Sequence, residues 1–144
     1  MPIQLDTSRW PLVITTLSGV MSDADLEDYC ARFEAEVLGR RTKFVSLVDT
    51  LQMSAAPTAR QRRALADWQG RTEEVGKRYN LGIGMVIGSA LIRGAFTALN
   101  WLSPPAVKTE VFPTTRQASA FLLETLSAQG LAPPPEIKRV ANGS

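Results

Sequence analysis

The sequence predicts an α/β domain with a mixed, largely parallel sheet, an N-terminal β-hairpin and four helices. Short apolar runs rich in β-branched residues alternate with longer segments in which apolar residues recur every three or four positions. Strands that alternate with helices in this way are joined by crossover connections, which place neighbouring strands parallel. The first two strands are separated only by a short turn, so they form an antiparallel hairpin.

The first half of the chain contains the hairpin, one helix and a buried strand. The hairpin covers PIQLDTSRWPLVITTLSG, in which alternating and then β-branched residues lead to Gly19. Ser22, followed three residues later by Asp25, is a capping-box start for the first helix, and Gly39 closes that helix. The compact apolar run KFVSLVDT fits a buried strand.

The second half alternates helices and strands. A single long helix begins at Pro57, which suits a first turn, and it presents an apolar face made of Leu65, Trp68, Val75 and Tyr79. LGIGMVIGS is the next buried strand, and ALIRGAFTALNWL is the third helix, which Pro104 stops. AVKTEVF is the last strand, and TTRQASAFLLETLSAQG is the last helix, with Thr114 and Gln117 as its capping pair.

Length and composition indicate one domain. The chain has 144 residues, the size of an ordinary domain, which we place at 1–130. The remaining segment, 131–144, contains three consecutive prolines and no apolar period, so we expect a semi-rigid exit into a mobile end. The net charge of +2 is too small to indicate nucleic-acid binding.

Cysteine and hydropathy patterns bear on the location of the protein. The single cysteine cannot form an intramolecular disulfide, and the first ten residues lack a basic region followed by an apolar run. No apolar run reaches the roughly 18 to 20 residues needed to span a bilayer. We therefore expect a cytoplasmic protein without a transmembrane segment.

The absence of histidine restricts the chemistry. It removes the usual general base, the usual zinc ligand and the histidine-activated nucleophiles. The glycines of GIGMVIG lie inside an apolar strand and do not form a nucleotide-binding GxGxxG loop between a strand and a helix. The sequence therefore predicts a protein that is not an enzyme and that has no metal site and no cofactor.

The order of elements resembles the STAS-like or SpoIIAA-like domain family over about residues 3–127. The features that carry the resemblance are the opening hairpin, the strand ending LVDT, the glycine-bearing strand and the final strand that leads into an alanine-bearing helix. The resemblance implies a SpoIIAA/STAS-like fold and a regulatory or protein-interaction role. The fold of this group also resembles the lipid-binding CRAL-TRIO sheet, which implies an apolar small ligand, such as a lipid or acyl chain, as the alternative.

The resemblance directs attention to the end of the third strand. In the anti-sigma-factor antagonist branch, an aspartate and a phosphorylatable serine followed by glycine lie there, whereas this chain has Asp49 and then TLQMSAAPTA without that motif. Asp49 is a candidate pocket acid, or it hydrogen-bonds the turn backbone. Ser54 and Thr58 are candidate phosphate acceptors, or one of them caps the following helix.

Arginines around this region form a candidate docking surface for a protein partner. Arg60 and Arg63 lie on the second helix, and Arg93 lies in the first turn of the third. Guanidinium groups suit the recognition of anions. Alternatively, much of the charge pairs along a solvated helix face, as the four-residue spacing of Arg63, Asp67 and Arg71 allows.

Apolar residues of the last two helices define a candidate ligand pocket, which consists of Phe96, Leu99, Trp101 and Phe121. Trp68 either lines such a cavity or packs in the core. Cys30 shares a helical face with Leu26 and Phe33, so we expect a buried, unreactive thiol. Aromatic residues on the tryptophan-bearing helices would also allow a homodimer.

Overall fold

A computed structural model describes residues 2–131, which form a five-stranded sheet. The strands lie side by side in chain order, with the first antiparallel to the second and every later pair parallel. They are β1 (Ile3–Arg9), β2 (Leu12–Gly19), β3 (Phe44–Met53), β4 (Asn80–Val86) and β5 (Thr109–Phe112). The predicted mixed, largely parallel sheet with an N-terminal hairpin is confirmed.

Five helices cover the two faces of this sheet. One of them packs on one face, against β3 and β4, and the other four cover the opposite face. The four helices on one face are α1 (Asp23–Glu36), α2 (Ala59–Arg71), α3 (Glu73–Tyr79) and α4 (Ala90–Leu102). The single helix on the other face is α5 (Thr115–Ala128). No described helix has the length and apolarity that crossing a membrane requires.

Two glycines of β4 let α5 approach the sheet closely. A Cβ on Gly84 would lie 3.4 Å from the Cβ of Ala118, and one on Gly82 would lie 3.6 Å from the ring of Phe121. The contact is completed by fully buried leucines of α5, which pack against Val45 and Leu47 of β3. The glycines noted in the sequence thus serve helix–sheet packing rather than phosphate binding.

The single long helix predicted from Pro57 is wrong in two respects. Its first helix, α2, begins at Ala59, because Thr58 is the N-cap and Pro57 precedes it. The predicted segment is also divided into two helices. Thr72 interrupts it with φ −101° and ψ 6°, and α3 begins at the next residue. The Thr72 hydroxyl donates to the carbonyl of Trp68 at 3.0 Å, a local bond that competes with regular helix geometry. Five helices therefore stand where the pattern predicted four.

The first helix also ends earlier than predicted. α1 stops at Glu36, and a 3₁₀ turn, Leu38–Arg40, follows it before Arg41 adopts φ 50°. Val37 and Leu38 are buried, so the chain leaves the helix to place both side chains in the core. Gly39 still has a steric role, since a Cβ there would lie 3.3 Å from the carbonyl oxygen of Glu34.

The predicted starts of the first and last helices are confirmed by their capping bonds. The Ser22 hydroxyl accepts from the amide of Asp25 at 3.0 Å, and the Asp25 carboxylate accepts from the amide of Ser22 at 2.9 Å. These bonds lower the pKa of Asp25. Thr114 accepts from the amide of Gln117 at 3.2 Å. Of the predicted tail, Leu131 packs against the α5 core, and residues 132–144 lie outside the described part of the chain.

We expect Leu122→Ala to destabilise the domain strongly. Leu122 is fully buried between α5 and the sheet, and truncating such a leucine costs roughly 2 to 5 kcal/mol because a cavity remains. Glu124→Ala, at an exposed position on the same helix, should change the free energy of unfolding by less than about 0.5 kcal/mol. Urea denaturation followed by circular dichroism measures both, and equal effects would contradict this account of the α5 contact.

Candidate functional site

A cavity of about 480 Å³ lies between the sheet and the helices of the four-helix face. Side chains from the sheet form its floor, and side chains from α1, α2 and α4 form its walls and roof. Most of the lining is apolar, including Leu17, Leu26, Val48, Leu65, Ile83, Met85, Phe96 and Leu99. The cavity is therefore suited to an apolar molecule.

The cavity exists because α4 does not lie directly on the sheet. α4 packs against α2, with Ile92, Ala95 and Leu99 on its buried face. On the other face of the sheet, by contrast, α5 is drawn into contact by the glycines of β4. The separation between α4 and β4 leaves a space that these side chains only partly fill.

Hydroxyl and amide groups interrupt the apolar floor. Thr15 Oγ1 and Tyr29 Oη are hydrogen-bonded at 3.1 Å, and Asn80 Nδ2 donates to Ser46 Oγ at 3.5 Å. The Oδ1 atom of Asn80 accepts from the amide of Gly82 at 3.2 Å, which fixes the orientation of the side-chain amide. We call Thr15, Tyr29, Ser46 and Asn80 the hydroxyl floor, since all four line the cavity.

The hydroxyl floor is uncharged, with Thr15 and Ser46 buried and Tyr29 and Asn80 half-buried. Thr15 is 2% exposed and Ser46 is 4% exposed. Burial raises the pKa of Tyr29 to about 12, although its hydrogen bond with Thr15 acts in the opposite direction. The phenol therefore stays protonated at any physiological pH.

The rim of the cavity carries the charged groups. Glu73 and Lys77 of α3 line the cavity and are exposed, so they lie where it meets solvent. Leu102, at the end of α4, and Pro104 and Pro105 after it also line the cavity and are exposed. The rim thus carries both charged and apolar groups.

The four residues predicted to form an apolar pocket do not lie together. Phe96 and Leu99 line the cavity, but Trp101 is 82% exposed on the outer side of α4. Phe121 lies across the sheet, where its ring centroid is 5.6 Å from that of Phe112. The grouping is corrected for two reasons: Trp101 is about 200° around the helix from Leu99, and α5 covers the opposite face of the sheet.

Asp49 lies within β3, beside a bulge where the register with β2 shifts. Its Oδ1 atom accepts from the backbone amide of Leu51 at 2.9 Å. The neighbouring Thr50 hydroxyl donates to the carbonyl of Val86 at 2.7 Å and ties β3 to β4. Asp49 forms no ion pair with Arg93 within the described chain. Asp49 thus hydrogen-bonds the backbone, as the alternative stated from the sequence has it, but within a strand and not in a turn.

Ser54 and Thr58 have different roles. Thr58 is the N-cap of α2, where its hydroxyl accepts from the amide of Gln61 at 3.1 Å and Gln61 Oε1 accepts from the amide of Thr58 at 3.0 Å. Ser54 is exposed, and its backbone amide donates to the carbonyl of Gly19 at 3.0 Å. Only Thr58 has a hydroxyl that the helix start uses.

The predicted arginines are exposed near the carboxyl ends of the strands. Arg60 lies 3.8 Å from Asp23 of α1, whereas Arg63 and Arg93 have no acidic partner within 4.0 Å among residues 2–131. The expected pairing of Arg63 with Asp67 is therefore wrong. Such exposed pairs gain little in water, because ordering two long side chains offsets their attraction.

Cys30 and Trp68 belong to the core. Burial raises the pKa of Cys30 to about 11, with a further contribution from Glu34, so the thiol is a poor nucleophile. Trp68 is buried, lines the cavity and donates from Nε1 to Glu34 Oε1 at 2.6 Å. Among the described residues, no group of three or more histidine, cysteine or acidic side chains is arranged to hold a metal ion.

The sequence reasoning missed the hydroxyl floor. Two of its members leave a signal, because Ser46 interrupts the apolar run FVSLV and Asn80 directly precedes a buried strand. Thr15 resembles an ordinary β-branched strand residue, and Tyr29 resembles a core aromatic of α1. Only the register of β2, β3 and β4 together with the position of α1 brings the four together.

A comparison with solved structures identifies the fold. The crystal structure of an uncharacterized protein of the DUF3478 family from Shewanella loihica PV-4, described as having a SpoIIAA-like fold, matches with a TM-score of 0.55. The match covers 83% of this chain and 91% of that one. This chain has a SpoIIAA-like fold. At 17% identity, the likeness establishes the fold alone.

The resemblance stated from the sequence is thereby confirmed at the level of the SpoIIAA-like domain. Neither the protein-family models nor the curated protein sequences compared with the chain give a match. The function must therefore be inferred from the geometry of the site.

Alanine substitutions separate the roles of Thr58 and Ser54 in this SpoIIAA-like domain. We expect Thr58→Ala to lower the free energy of unfolding by about 1 kcal/mol, because an N-cap bond to α2 is lost. Ser54→Ala serves as the matched control and should have an effect below about 0.5 kcal/mol. Chemical denaturation measures both values. A larger loss for Ser54→Ala would contradict the assignment of the cap.

Proposed function

We propose that this SpoIIAA-like domain binds a small, largely apolar molecule in the cavity between the sheet and α4. The observation that carries the proposal is the cavity itself, which has a volume of about 480 Å³ and a mostly apolar lining. Ligand sites in proteins are concavities of roughly 300 to 1,000 Å³ with apolar walls and a few fixed polar groups. The hydroxyl floor supplies such polar groups.

Burial of hydrocarbon supplies the driving force. Each methylene moved from water into an apolar site gains about 0.8 kcal/mol, so ten carbons gain roughly 8 kcal/mol. Association costs roughly 4 kcal/mol or more in lost translational and rotational freedom. The remaining gain of at most roughly 4 kcal/mol corresponds to a dissociation constant of about 1 mM or weaker from the burial of ten carbons alone.

The lining of the cavity favours binding over catalysis. Its charged residues, Glu73 and Lys77, lie at the exposed rim, and the chain contains no histidine. The polar groups of the floor are hydroxyls and an amide, which orient a ligand but do not take up or release protons near neutral pH. A carrier or sensor of an apolar molecule fits these groups.

A fluorescent probe tests the proposal. We expect N-phenyl-1-naphthylamine, whose emission rises in apolar surroundings, to bind with one saturable site per chain. Val48→Phe adds bulk to the cavity lining and should weaken binding about tenfold or more by occupying part of the space. Val20→Phe, at a 66% exposed position, is the matched control. Thermal unfolding of both variants verifies that they are folded.

Two results would overturn the proposed binding function. One is the absence of saturable binding to the wild-type protein. The other is equal binding by folded Val48→Phe and wild-type protein, which would place the probe elsewhere.

A second candidate function is protein interaction through the strand-end surface, which we define as Val20, Leu51, Leu91, Arg60, Arg63 and Arg93. The observation that favours it is the exposure of three large apolar side chains beside these arginines, with Val20 at 66%, Leu51 at 48% and Leu91 at 72%. Apolar side chains combined with arginine are typical of interaction sites. The surface follows the ends of β2, β3 and β4.

Charge reversal tests the second candidate. We expect Arg60→Glu combined with Arg63→Glu to abolish capture of a partner that the wild-type chain retains reproducibly, since two cations become anions. Lys43→Glu combined with Lys108→Glu, at exposed positions before β3 and β5, gives the same charge change at the opposite ends of the strands. Pull-down with quantitative mass spectrometry measures capture. Equal loss in both double variants would contradict a specific interaction at the strand ends.

A further inference from the structure

The hydroxyl floor has more hydrogen-bond donors than the chain uses. The bond between Thr15 and Tyr29 consumes one hydroxyl hydrogen, although the two hydroxyls together carry two. Ser46 accepts from Asn80, and within residues 2–131 its own hydroxyl hydrogen has no bonded acceptor. Two hydroxyl hydrogens are thus free to point into the cavity.

The spare donors lie close to one another on the sheet. Ser46 is paired with Val13 of β2, and Thr15 follows Val13 by two residues on the same face. From the spacing of strands and of residues along them, the Cα atoms of Thr15 and Ser46 are roughly 8 Å apart. Side chains at this separation can hydrogen-bond to a single functional group or to two groups of one small molecule.

Donors that are buried without acceptors are unfavourable in an apolar cavity. Water can satisfy them, and so can an oxygen atom of the ligand that displaces this water. A hydrocarbon without oxygen would leave them unsatisfied, which is costly in a buried site. The floor therefore selects for a ligand that accepts hydrogen bonds.

The same floor disfavours a charged acceptor. The floor contains no cation, and the lysine that lines the cavity, Lys77, lies at the exposed rim. A carboxylate taken to the floor would lose its hydration without gaining a counter-charge. Neutral hydroxyl donors suit a neutral oxygen.

We propose that the ligand carries an uncharged carbonyl oxygen, as in a ketone, aldehyde or ester, which binds the hydroxyl floor while its hydrocarbon part lies against Phe96 and Leu99. The carbonyl oxygen accepts from the spare hydroxyl hydrogens of Ser46 and of the Thr15–Tyr29 pair. This inference rests on the proposed binding function and assigns a ligand class and an orientation to the same cavity.

Three matched probes test the assignment by competition with N-phenyl-1-naphthylamine. They are butyrophenone, which has a ketone, butylbenzene, which has no oxygen, and 4-phenylbutanoate, which has a carboxylate. We expect butyrophenone to bind at least about tenfold more tightly than 4-phenylbutanoate at pH 7. Tighter binding of the carboxylate would overturn the preference for an uncharged oxygen.

Variants of the floor give the decisive comparison. In Ser46→Ala combined with Tyr29→Phe, the ratio of the butylbenzene to the butyrophenone dissociation constant should fall about tenfold, because the hydroxyl hydrogen of Ser46 is lost and only that of Thr15 remains as a spare donor. Thr109→Val is the matched control: Thr109 lines the cavity, but its hydroxyl already donates to the carbonyl of Val107 at 2.9 Å. The control should keep the wild-type ratio.

The outcomes distinguish this inference from the proposed function. Saturable binding of all three probes with a ratio that the double variant does not change would overturn the carbonyl assignment and leave the binding function intact. Absence of binding by every probe would overturn both. If the double variant fails to fold, the infrared C=O stretch of butyrophenone bound to wild-type protein decides: it should lie below its frequency in hexane, and an unshifted band would overturn the assignment.

Discussion

The alternation of side chains along β2, β3 and β4 is the constraint on which the rest of the structure depends. Because successive residues point to opposite faces, Val45 and Leu47 face α5 while Ser46 and Val48 face the cavity. The first face is packed closely through the glycines of β4. The second face carries polar side chains and is covered by helices that leave a space. The same strands thus form a closely packed core on the α5 face and line a cavity on the other face.

The packing of α4 against α2 determines the size of that space. If α4 lay directly on β4, its Phe96 and Leu99 would fill the volume above Ile83 and Met85, and the hydroxyl floor would be covered. The position of α4 depends in turn on α2, which Thr58 caps at one end and Thr72 separates from α3 at the other. The cap at Thr58 and the break at Thr72 therefore both influence the size of the cavity.

Local signals account for what could be predicted from the sequence. Capping pairs such as Ser22 with Asp25 involve neighbours in the chain, and the apolar runs identify strands by their own composition. The side of the sheet on which α5 packs is a different matter, because it depends on the crossover from β5 and on the space at Gly82 and Gly84. The predicted pocket failed for this reason: it placed Phe121 with Phe96, although the sheet separates them. The hydroxyl floor joins three strands and a helix, so no single segment encodes it.

The hydroxyl floor is difficult to explain by stability alone. Valine at positions 15 and 46 and phenylalanine at position 29 would keep the apolar character of this face and remove all three hydroxyl donors. The tie between β3 and β4 does not need Ser46, since the Thr50 hydroxyl bonds the carbonyl of Val86 further along the same strands. A binding site is expected to contain polar side chains that face an open cavity and that the core does not need for stability. Selection for stability alone would replace such side chains by apolar ones. The ligand that we propose, mostly hydrocarbon with a carbonyl oxygen, accounts for both the cavity and its floor.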